Sequence, residues 1–166
     1  MSAKKTRSFR SKIYTPTKAA GVVRRAQLSG KRVVFTNGCF DILHPGHVTY
    51  LEDARRKGDF LIVALDTDAA VRKLKGPTRP INSLESRLQV MAALESVDAV
   101  TWFDKGNPIA VIKKLHPNVL VKGGDWKVEQ ILGSKEVLGW GGKVFSLRFV
   151  AGKSTTKIVE KIRKKT

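Results

Sequence analysis

Two histidines, His44 and His47, stand three residues apart around Pro45 and Gly46. They follow an apolar run rich in β-branched residues (33–36) and open an amphipathic stretch. A strand that ends in a tight loop and a helix start presents unpaired backbone N–H groups and a positive dipole end. Gly46 lets an anion approach the backbone, and Pro45 suits a first helical turn. The spacing therefore predicts chemistry on a phosphate, with the histidines as donors.

The same residues admit other interpretations. The histidines could ligate a metal, which needs further ligands, and Asp41 is the one close candidate. They could also be structural residues at a helix start. The loop, the helix start and the glycine favour phosphate contact, and we predict no metal site. Cys39 could be a nucleophile, but a small buried residue at a strand end is the favoured interpretation.

The hydrophobic pattern alternates strands with helices. It predicts strands at 31–36, 60–65, 99–103, 119–121 and 143–147. It predicts helices at 15–27, 46–57, 66–74, 82–94, 107–115 and 155–163. Such alternation is typical of an α/β fold with a parallel sheet and right-handed crossovers.

The residues that could do chemistry follow the predicted strands. Segment 37–47 comes after the first strand, and segment 122–126 comes after a later one. Ser154 caps the last helix, whose free N–H groups form a second anion site. Because ligands of parallel sheets bind at the carboxyl ends of the strands, these groups should converge there.

Composition limits the class of protein. The 166 residues, 42% of them hydrophobic, predict one domain over 13–166 behind a disordered basic tail at 1–12. No apolar stretch is long enough for a membrane span and no signal peptide opens the chain. The single cysteine fits a reducing compartment, so we expect a cytoplasmic protein without a membrane partner.

The net charge of +18 is unevenly placed. No acidic residue precedes Asp41, while ten Lys and Arg lie between Lys4 and Arg32. Such charge favours polyanions, so a nucleic-acid-binding module is an alternative of another class. Aromatic residues are not interleaved with the basic ones, which favours a solvated tail instead. The missing P-loop and GxGxxG motifs disfavour a P-loop kinase and a dinucleotide oxidoreductase.

The motifs carry a family resemblance over roughly 31–163. The HPGH of 44–47 resembles the HxGH signature of the nucleotidyltransferase superfamily. With KGGDW (122–126) and GKSTTKI (152–158), the full TNGCFDILHPGH is similar to bacterial heptose-1-phosphate adenylyltransferases, which make ADP-heptose. The resemblance implies a Rossmann-like parallel sheet of the HxGH nucleotidyltransferase type, with helices on both faces. Glycerol-3-phosphate cytidylyltransferases resemble the chain at HxGH and STT.

The resemblance also implies roles for single residues. The catalytic set would be His44, His47 and Lys122. The nucleotide would contact Thr36, Asn37, Gly38, Cys39, Phe40, Gly46, Gly123, Asp125, Ser154, Thr155 and Thr156. The acceptor substrate would contact Asp41, Lys73, Lys75, Arg87 and Trp126. Lys157 stands where related enzymes often carry an arginine.

The implied reaction transfers AMP from ATP to D-glycero-β-D-manno-heptose 1-phosphate, giving ADP-heptose and pyrophosphate for lipopolysaccharide core synthesis. Mg²⁺ carried with ATP would be the cofactor. A separate sugar kinase is expected because this chain has no room for one. The enzyme alternative is a cytidylyltransferase acting on glycerol 3-phosphate or a related polyol phosphate.

The resemblance further implies a homodimer. The predicted first helix carries apolar residues that need a covering surface: Ala19, Ala20, Val22, Val23 and Leu28. From the sequence, a second copy of the chain and the helix's own domain are equally suitable surfaces.

Overall fold

The computed structural model describes residues 8–104, 106–148, 152 and 154–164. Its strands are β1 (Val33–Gly38), β2 (Phe60–Asp66), β3 (Ala99–Phe103), β4 (Val119–Gly123) and β5 (Lys143–Leu147). Its α-helices are α1 (Pro16–Leu28), α2 (Pro45–Arg55), α3 (Asp68–Lys75), α4 (Leu84–Ala93), α5 (Ile109–Leu115), α6 (Ser134–Gly139) and α7 (Thr155–Arg163). Short 3₁₀ helices cover Phe9–Lys12 and Val128–Gln130.

The five strands form one parallel sheet in the order β3-β2-β1-β4-β5. The chain moves outward from β1 through β2 to β3 and then crosses to β4 on the other side of β1. This reversal creates a topological switch point between β1 and β4, where open α/β sheets bind ligands at the carboxyl ends of the strands.

Hydrophobic side chains cover both faces of the sheet. On one face Phe35 and Ile62 join a buried cluster with residues of α1, α5 and α6. On the other face Val34 and Val63 pack with residues of α2 and α4. Because successive strand residues point to opposite faces, a sheet covered on both faces requires continuous apolar strands. The predicted α/β class with helices on both faces is confirmed.

Helix α1 packs on its own domain. Ala19 and Val23 are fully buried, and Ala20 and Val22 pack against the same cluster. Leu28 stays 78% exposed at the end of the helix. The apolar stripe of α1 therefore has its covering surface within the chain, and the helix does not itself require a second copy.

Residues 8–12 were predicted to belong to a disordered tail, but in the structure they include a 3₁₀ helix. Residues 1–7 of the predicted tail lie outside the described residues. Phe9 packs against the core cluster beside α4. The Nζ atom of Lys12 donates to the carbonyl oxygens of Leu94 and Val97, at 3.1 and 2.7 Å. A cation at a helix C-terminus is favourable because carbonyls there lack partners within the helix. The sequence of this segment could not predict these contacts, because the acceptor carbonyl oxygens lie in a much later part of the chain.

Between β4 and β5 the structure contains two elements that the sequence pattern missed. The 3₁₀ helix Val128–Gln130 and helix α6 are only three and six residues long. Such short elements do not complete the two turns over which helical periodicity becomes recognisable. Among the described helices, none combines the length and hydrophobicity needed to cross a bilayer.

Candidate active site

A cavity of about 730 Å³ opens at the carboxyl edge of the sheet, beside the switch point between β1 and β4. Most predicted site residues line it: Asn37, Gly38, Cys39, Phe40, Asp41, His44, Gly46, His47, Lys75, Lys122, Gly123, Trp126, Ser154, Thr155 and Thr156. Segments far apart in the chain meet here because each follows a strand that ends at this edge. The sequence-predicted convergence of anion-binding groups is therefore present in the structure.

The two histidines form a stacked pair at the start of α2. Their ring centroids lie 3.8 Å apart with an interplanar angle of 19°. His44 is the N-cap residue, but its side chain makes no capping hydrogen bond. The Nδ1 atom of His47 is buried without a hydrogen-bond partner in the described chain. Neither imidazole caps the helix. This placement suits a role for both rings as hydrogen-bond donors to a ligand at the helix N-terminus.

A second helix start faces the same cavity. Ser154 caps α7, with its hydroxyl oxygen accepting from the backbone N–H of Lys157. The hydroxyl of Thr155 donates to the carbonyl oxygen of Ile42 at 3.1 Å, which ties α7 to the loop that carries His44. The positive ends of α2 and α7 thereby share one cavity, which suits binding of a polyphosphate.

Lys122 supplies a half-buried cation on the β4 side. Its Nζ atom lies 3.4 Å from the carbonyl oxygen of Asn37, which accepts a hydrogen bond. Burial lowers the pKa of Lys122, while nearby Asp66 opposes that shift. Burial likewise raises the pKa of Asp66, opposed by Lys122 and Arg87. The carboxylate thus favours the charged ammonium form that phosphate chemistry needs.

The Cys39 thiol also faces the cavity. It donates to a carboxylate oxygen of Asp66 across 3.8 Å. Burial raises the pKa of Cys39, and the Asp66 charge adds to this. Since the thiolate is the reactive form of cysteine, these surroundings disfavour a nucleophile, although Cys39 is half-buried and not the buried residue expected from sequence.

The loop after β4 presents an aromatic ring. The indole N–H of Trp126 donates to the carbonyl oxygen of Gly123 at 3.1 Å, and its backbone N–H donates to the hydroxyl of Ser146. Its ring is fixed by these bonds, and the residue remains 51% exposed at the cavity. A fixed, half-exposed ring suits stacking on a sugar or a base.

Asp41 was predicted to contact substrate, but its carboxylate is occupied within the protein. It accepts from Arg79 Nε at 2.6 Å and from the backbone N–H groups of Ile81 and Asn82 at 2.8–2.9 Å. Burial alone would raise the pKa of Asp41, yet these three donors hold it below its usual value. The Asp41 side chain is 1% exposed, so it acts by fixing the 79–82 segment.

Arg87 was also predicted to contact substrate, and its side chain is 0% exposed. Its guanidinium donates to the carbonyl oxygen of Cys39 at 2.7 Å, to that of Asn82 at 3.1 Å and to the Asp68 carboxylate at 2.7 Å. A buried guanidinium must satisfy its donors internally. Arg87 therefore supports the cavity wall from behind and does not line the cavity, and its contact with substrate stays a prediction.

The sequence matches the cytidylyltransferase-like family over residues 35–161. The chain belongs to this family. Two proteins named bifunctional protein HldE are also similar to it. That of Marinomonas sp. (strain MWYL1) is 51% identical over 149 residues, covering 90% of this chain and 31% of that protein. That of Hahella chejuensis (strain KCTC 2396) is 55% identical over 139 residues, covering 84% of this chain and 29% of that protein.

Two solved structures are also similar to this cytidylyltransferase-like chain. The lipopolysaccharide core biosynthesis protein from Thermoplasma volcanium GSS1 has 28% identity and a TM-score of 0.60, over 73% of this chain and 98% of that one. Pantothenate synthetase from Thermus thermophilus, with 15% identity and a TM-score of 0.64 over 93% and 70% of the chains, shares the fold alone.

This cytidylyltransferase-like chain spans about a third of the length of the curated relatives it matches. Those relatives are named as bifunctional. The prediction of a separate sugar kinase, which rested only on the short length of this chain, is therefore not supported.

Three further predicted residues do not line the cavity of this family member. Thr36 is fully buried in β1, where its hydroxyl lies 2.6 Å from the Tyr50 hydroxyl. Lys73 and Asp125 are exposed to solvent outside the lining. For Thr36 the fold explains the difference, because a mid-strand side chain points to a sheet face and not to its edge.

The cavity also contains residues that were not predicted to bind: Tyr50, Asp66, Leu74, Arg79, Gly106, Pro108, Gln130, Ile131, Leu132 and Gly152. Asp66 had the same signal as Lys122, an ionisable residue at the carboxyl end of a strand. The segment 130–132 had no comparable signal, since its position depends on the short elements between β4 and β5. Within the described ranges, no cluster of three or more His, Cys, Asp or Glu could hold a metal.

His47 gives the fold a pH dependence. Burial, with His44 adding to it, lowers the pKa of His47 to about 4, whereas an unfolded histidine titrates near 6.5. The folded state binds fewer protons between these values, so stability is full above about pH 6.5 and falls toward pH 4. The loss should be about 1–2 kcal/mol, after discounting for partial exposure of the ring.

Urea unfolding of the wild type and of His47→Gln at about pH 6.5 and about pH 4.5 measures this loss. The variant should lose less stability than the wild type over that interval. His116→Gln, at the opposite edge of the sheet, serves as the control for removing one histidine. Equal losses in wild type and His47→Gln would contradict the assignment.

Proposed function

We propose that the chain transfers AMP from ATP to D-glycero-β-D-manno-heptose 1-phosphate, forming ADP-heptose and pyrophosphate for lipopolysaccharide core synthesis. The single observation that carries a phosphate-transfer function is the convergence of the stacked histidines, Lys122 and two helix N-termini on one cavity. The similarity to HldE proteins and the resemblance of the motifs to heptose-1-phosphate adenylyltransferases support the choice of reaction. The comparisons do not favour glycerol-3-phosphate cytidylyl transfer or nucleic-acid binding.

The proposed step is an in-line displacement at the α-phosphorus of ATP. A phosphate oxygen of the sugar 1-phosphate forms the new P–O bond, and the bond from the α-phosphorus to the bridging oxygen of the leaving pyrophosphate breaks. Because the nucleophile is already an anion, the protein needs no general base. Its task is to align two anions and stabilise the charge that develops between them.

The residues of the cavity supply that stabilisation. His44 and His47 donate toward phosphate oxygens at the start of α2, while Lys122 places a positive charge on the β4 side. Ser154, Thr155 and Thr156 present the N-terminus of α7. Trp126 offers the sugar or the base a ring to stack on.

Mg²⁺ is part of the proposal because a bound triphosphate carries several negative charges. The described residues contain no cluster of metal ligands, so the phosphates of ATP would hold the ion. Asp66 is the cavity carboxylate not already bonded to arginine and could face it. When bound, Mg²⁺ would screen the charge of the leaving pyrophosphate.

The reaction is tested by pyrophosphate release from ATP or CTP paired with heptose 1-phosphate or glycerol 3-phosphate. We expect turnover with ATP and heptose 1-phosphate, dependent on Mg²⁺. Turnover of CTP with glycerol 3-phosphate and none with ATP would replace this function by the enzyme alternative. No release from any pair, together with tight binding of nucleic acid at moderate salt, would favour the non-enzymatic alternative.

The homodimer and the cytoplasmic location remain predictions from the resemblance and the composition. The apolar stripe of α1 gives no support for the dimer, since it packs against the domain of its own chain. Light scattering at high micromolar concentration gives the oligomeric state.

A further inference from the structure

The 79–82 segment contributes an arginine to the cavity that the proposed reaction has not used. The Arg79 side chain lines the cavity and is 14% exposed. Its Nε–H is fixed by the Asp41 carboxylate at 2.6 Å. Its two terminal amino groups donate to no acceptor in the described part of the chain. The guanidinium is thereby held at one edge while its outer donors remain available to a ligand.

The bond to Asp41 fixes the direction of Arg79 firmly. Asp41 is itself immobilised by the backbone N–H groups of Ile81 and Asn82. The Asn82 side chain donates back to the Asp41 carbonyl oxygen at 2.7 Å. A charged donor that is oriented before binding loses little side-chain entropy when it meets an anion. With Nε bonded to Asp41, the guanidinium still presents its terminal amino groups in one fixed plane, whereas a lysine ammonium would act as a point charge without that geometry.

The reaction brings two anions into one cavity, and the nucleotide's phosphates already have donors. The histidines and the starts of α2 and α7 form one anion-binding group around the 42–47 loop. Besides Lys122, which the proposed function places beside the reacting phosphates, the cavity cations are Lys75 at the end of α3 and Arg79 in the segment after it. A guanidinium binds a phosphate through two parallel N–H···O bonds, whereas lysine acts as a point charge.

We propose that Arg79, oriented by Asp41, binds the phosphate group of the acceptor sugar 1-phosphate through its terminal amino groups. This inference rests on the proposed function for the identity of the acceptor. It makes Arg79 the residue that selects an anionic acceptor and places its phosphate oxygen for attack. Asp41 is a positioning residue that acts through Arg79.

The test is steady-state pyrophosphate release by wild type, Arg79→Gln, Arg79→Lys and the control Arg72→Gln. Arg72 is an exposed arginine of α3 outside the cavity, so its variant removes the same charge. Arg79→Gln should raise the KM for the sugar phosphate by roughly 10–100-fold, the effect of losing a charge-assisted bidentate contact. The KM for ATP should change by less than about 3-fold, and Arg72→Gln should match wild type.

Arg79→Lys serves as the control for folding, because it keeps a cation beside Asp41 that Arg79→Gln removes. It should unfold like wild type in urea but still raise the acceptor KM by roughly 5-fold or more, since an ammonium lacks the fork. A wild-type acceptor KM in both Arg79 variants, or an equal rise in the KM for ATP, would overturn the proposal.

Calorimetry separates this proposal from the proposed function. Inorganic phosphate titrated into ATP-saturated wild type should bind more tightly than into ATP-saturated Arg79→Gln. If wild type fails to turn over ATP with heptose 1-phosphate, the function is wrong. If that turnover occurs and phosphate binds both proteins equally, the assignment of Arg79 is wrong.

Discussion

Replacing either His44 or His47 by alanine should lower the turnover number by roughly 10²–10⁴-fold, the range for groups that donate to developing charge. The rings stack at 3.8 Å at the start of α2, where phosphate oxygens would meet both. The low pKa of His47, about 4, keeps its ring neutral near neutral pH in the free protein. A neutral imidazole still donates one N–H, and a bound polyphosphate would favour its protonation.

The control for this loss is His116→Ala. The His116 ring stacks on Trp140 at 4.0 Å, away from the cavity, so its loss should leave turnover near the wild-type value. Single-turnover measurements at saturating ATP separate a slower chemical step from weaker binding. Near-normal turnover in both variants would remove the phosphate role. Activity that disappears only on adding a zinc-selective chelator would support metal ligation instead.

The sequence was sufficient to predict the parts of the site that depend on local structure. The start of α2 follows from Pro45 and Gly46, and the cap of α7 follows from Ser154, so both anion sites could be recognised within a few residues. Their meeting in one cavity follows from a rule about parallel sheets. No knowledge of side-chain packing was required for either step.

Contacts between distant residues could not be predicted in this way. Arg79 reaches Asp41 across 38 positions, and Arg87 reaches the Cys39 carbonyl oxygen across 48. A basic residue in a motif carries no sign of whether its guanidinium faces a ligand or a carboxylate. Thus Arg87, predicted to bind substrate, is buried, while Arg79, which was assigned no binding role, lines the cavity.

The same limit applies to the N-terminal segment. A basic, polar stretch at a chain end normally lacks enough apolar surface to fold. Here Phe9 finds a cluster beside α4, and Lys12 finds two carbonyl oxygens at the end of that helix. Both partners come from a later part of the chain, so no local pattern within 8–12 indicates them.

Replacing Arg87 by methionine should lower the free energy of unfolding by about 3 kcal/mol, the lower end of the cost for a buried pair, because the guanidinium is fully buried while Asp68 is 32% exposed. The Cys39 and Asn82 carbonyl oxygens and the Asp68 carboxylate would all lose a donor. Arg55→Met is the matched control, because Arg55 pairs with Asp98 in a setting where both are about one-third exposed. Its loss should cost about 1 kcal/mol.

The same variant should lower turnover even without direct contact between Arg87 and the substrate. Arg87 holds the Cys39 carbonyl oxygen immediately before Phe40, whose positive φ of 45° stores strain in the loop that leads to His44. Releasing that carbonyl would let the loop relax and displace the histidines, and a displacement of about 1 Å can cost roughly 10²-fold in rate. Urea unfolding and pyrophosphate release, measured on one preparation, give both effects. Wild-type stability with only a raised KM would instead show that Arg87 meets the substrate directly, and that the buried guanidinium turns outward when the ligand binds.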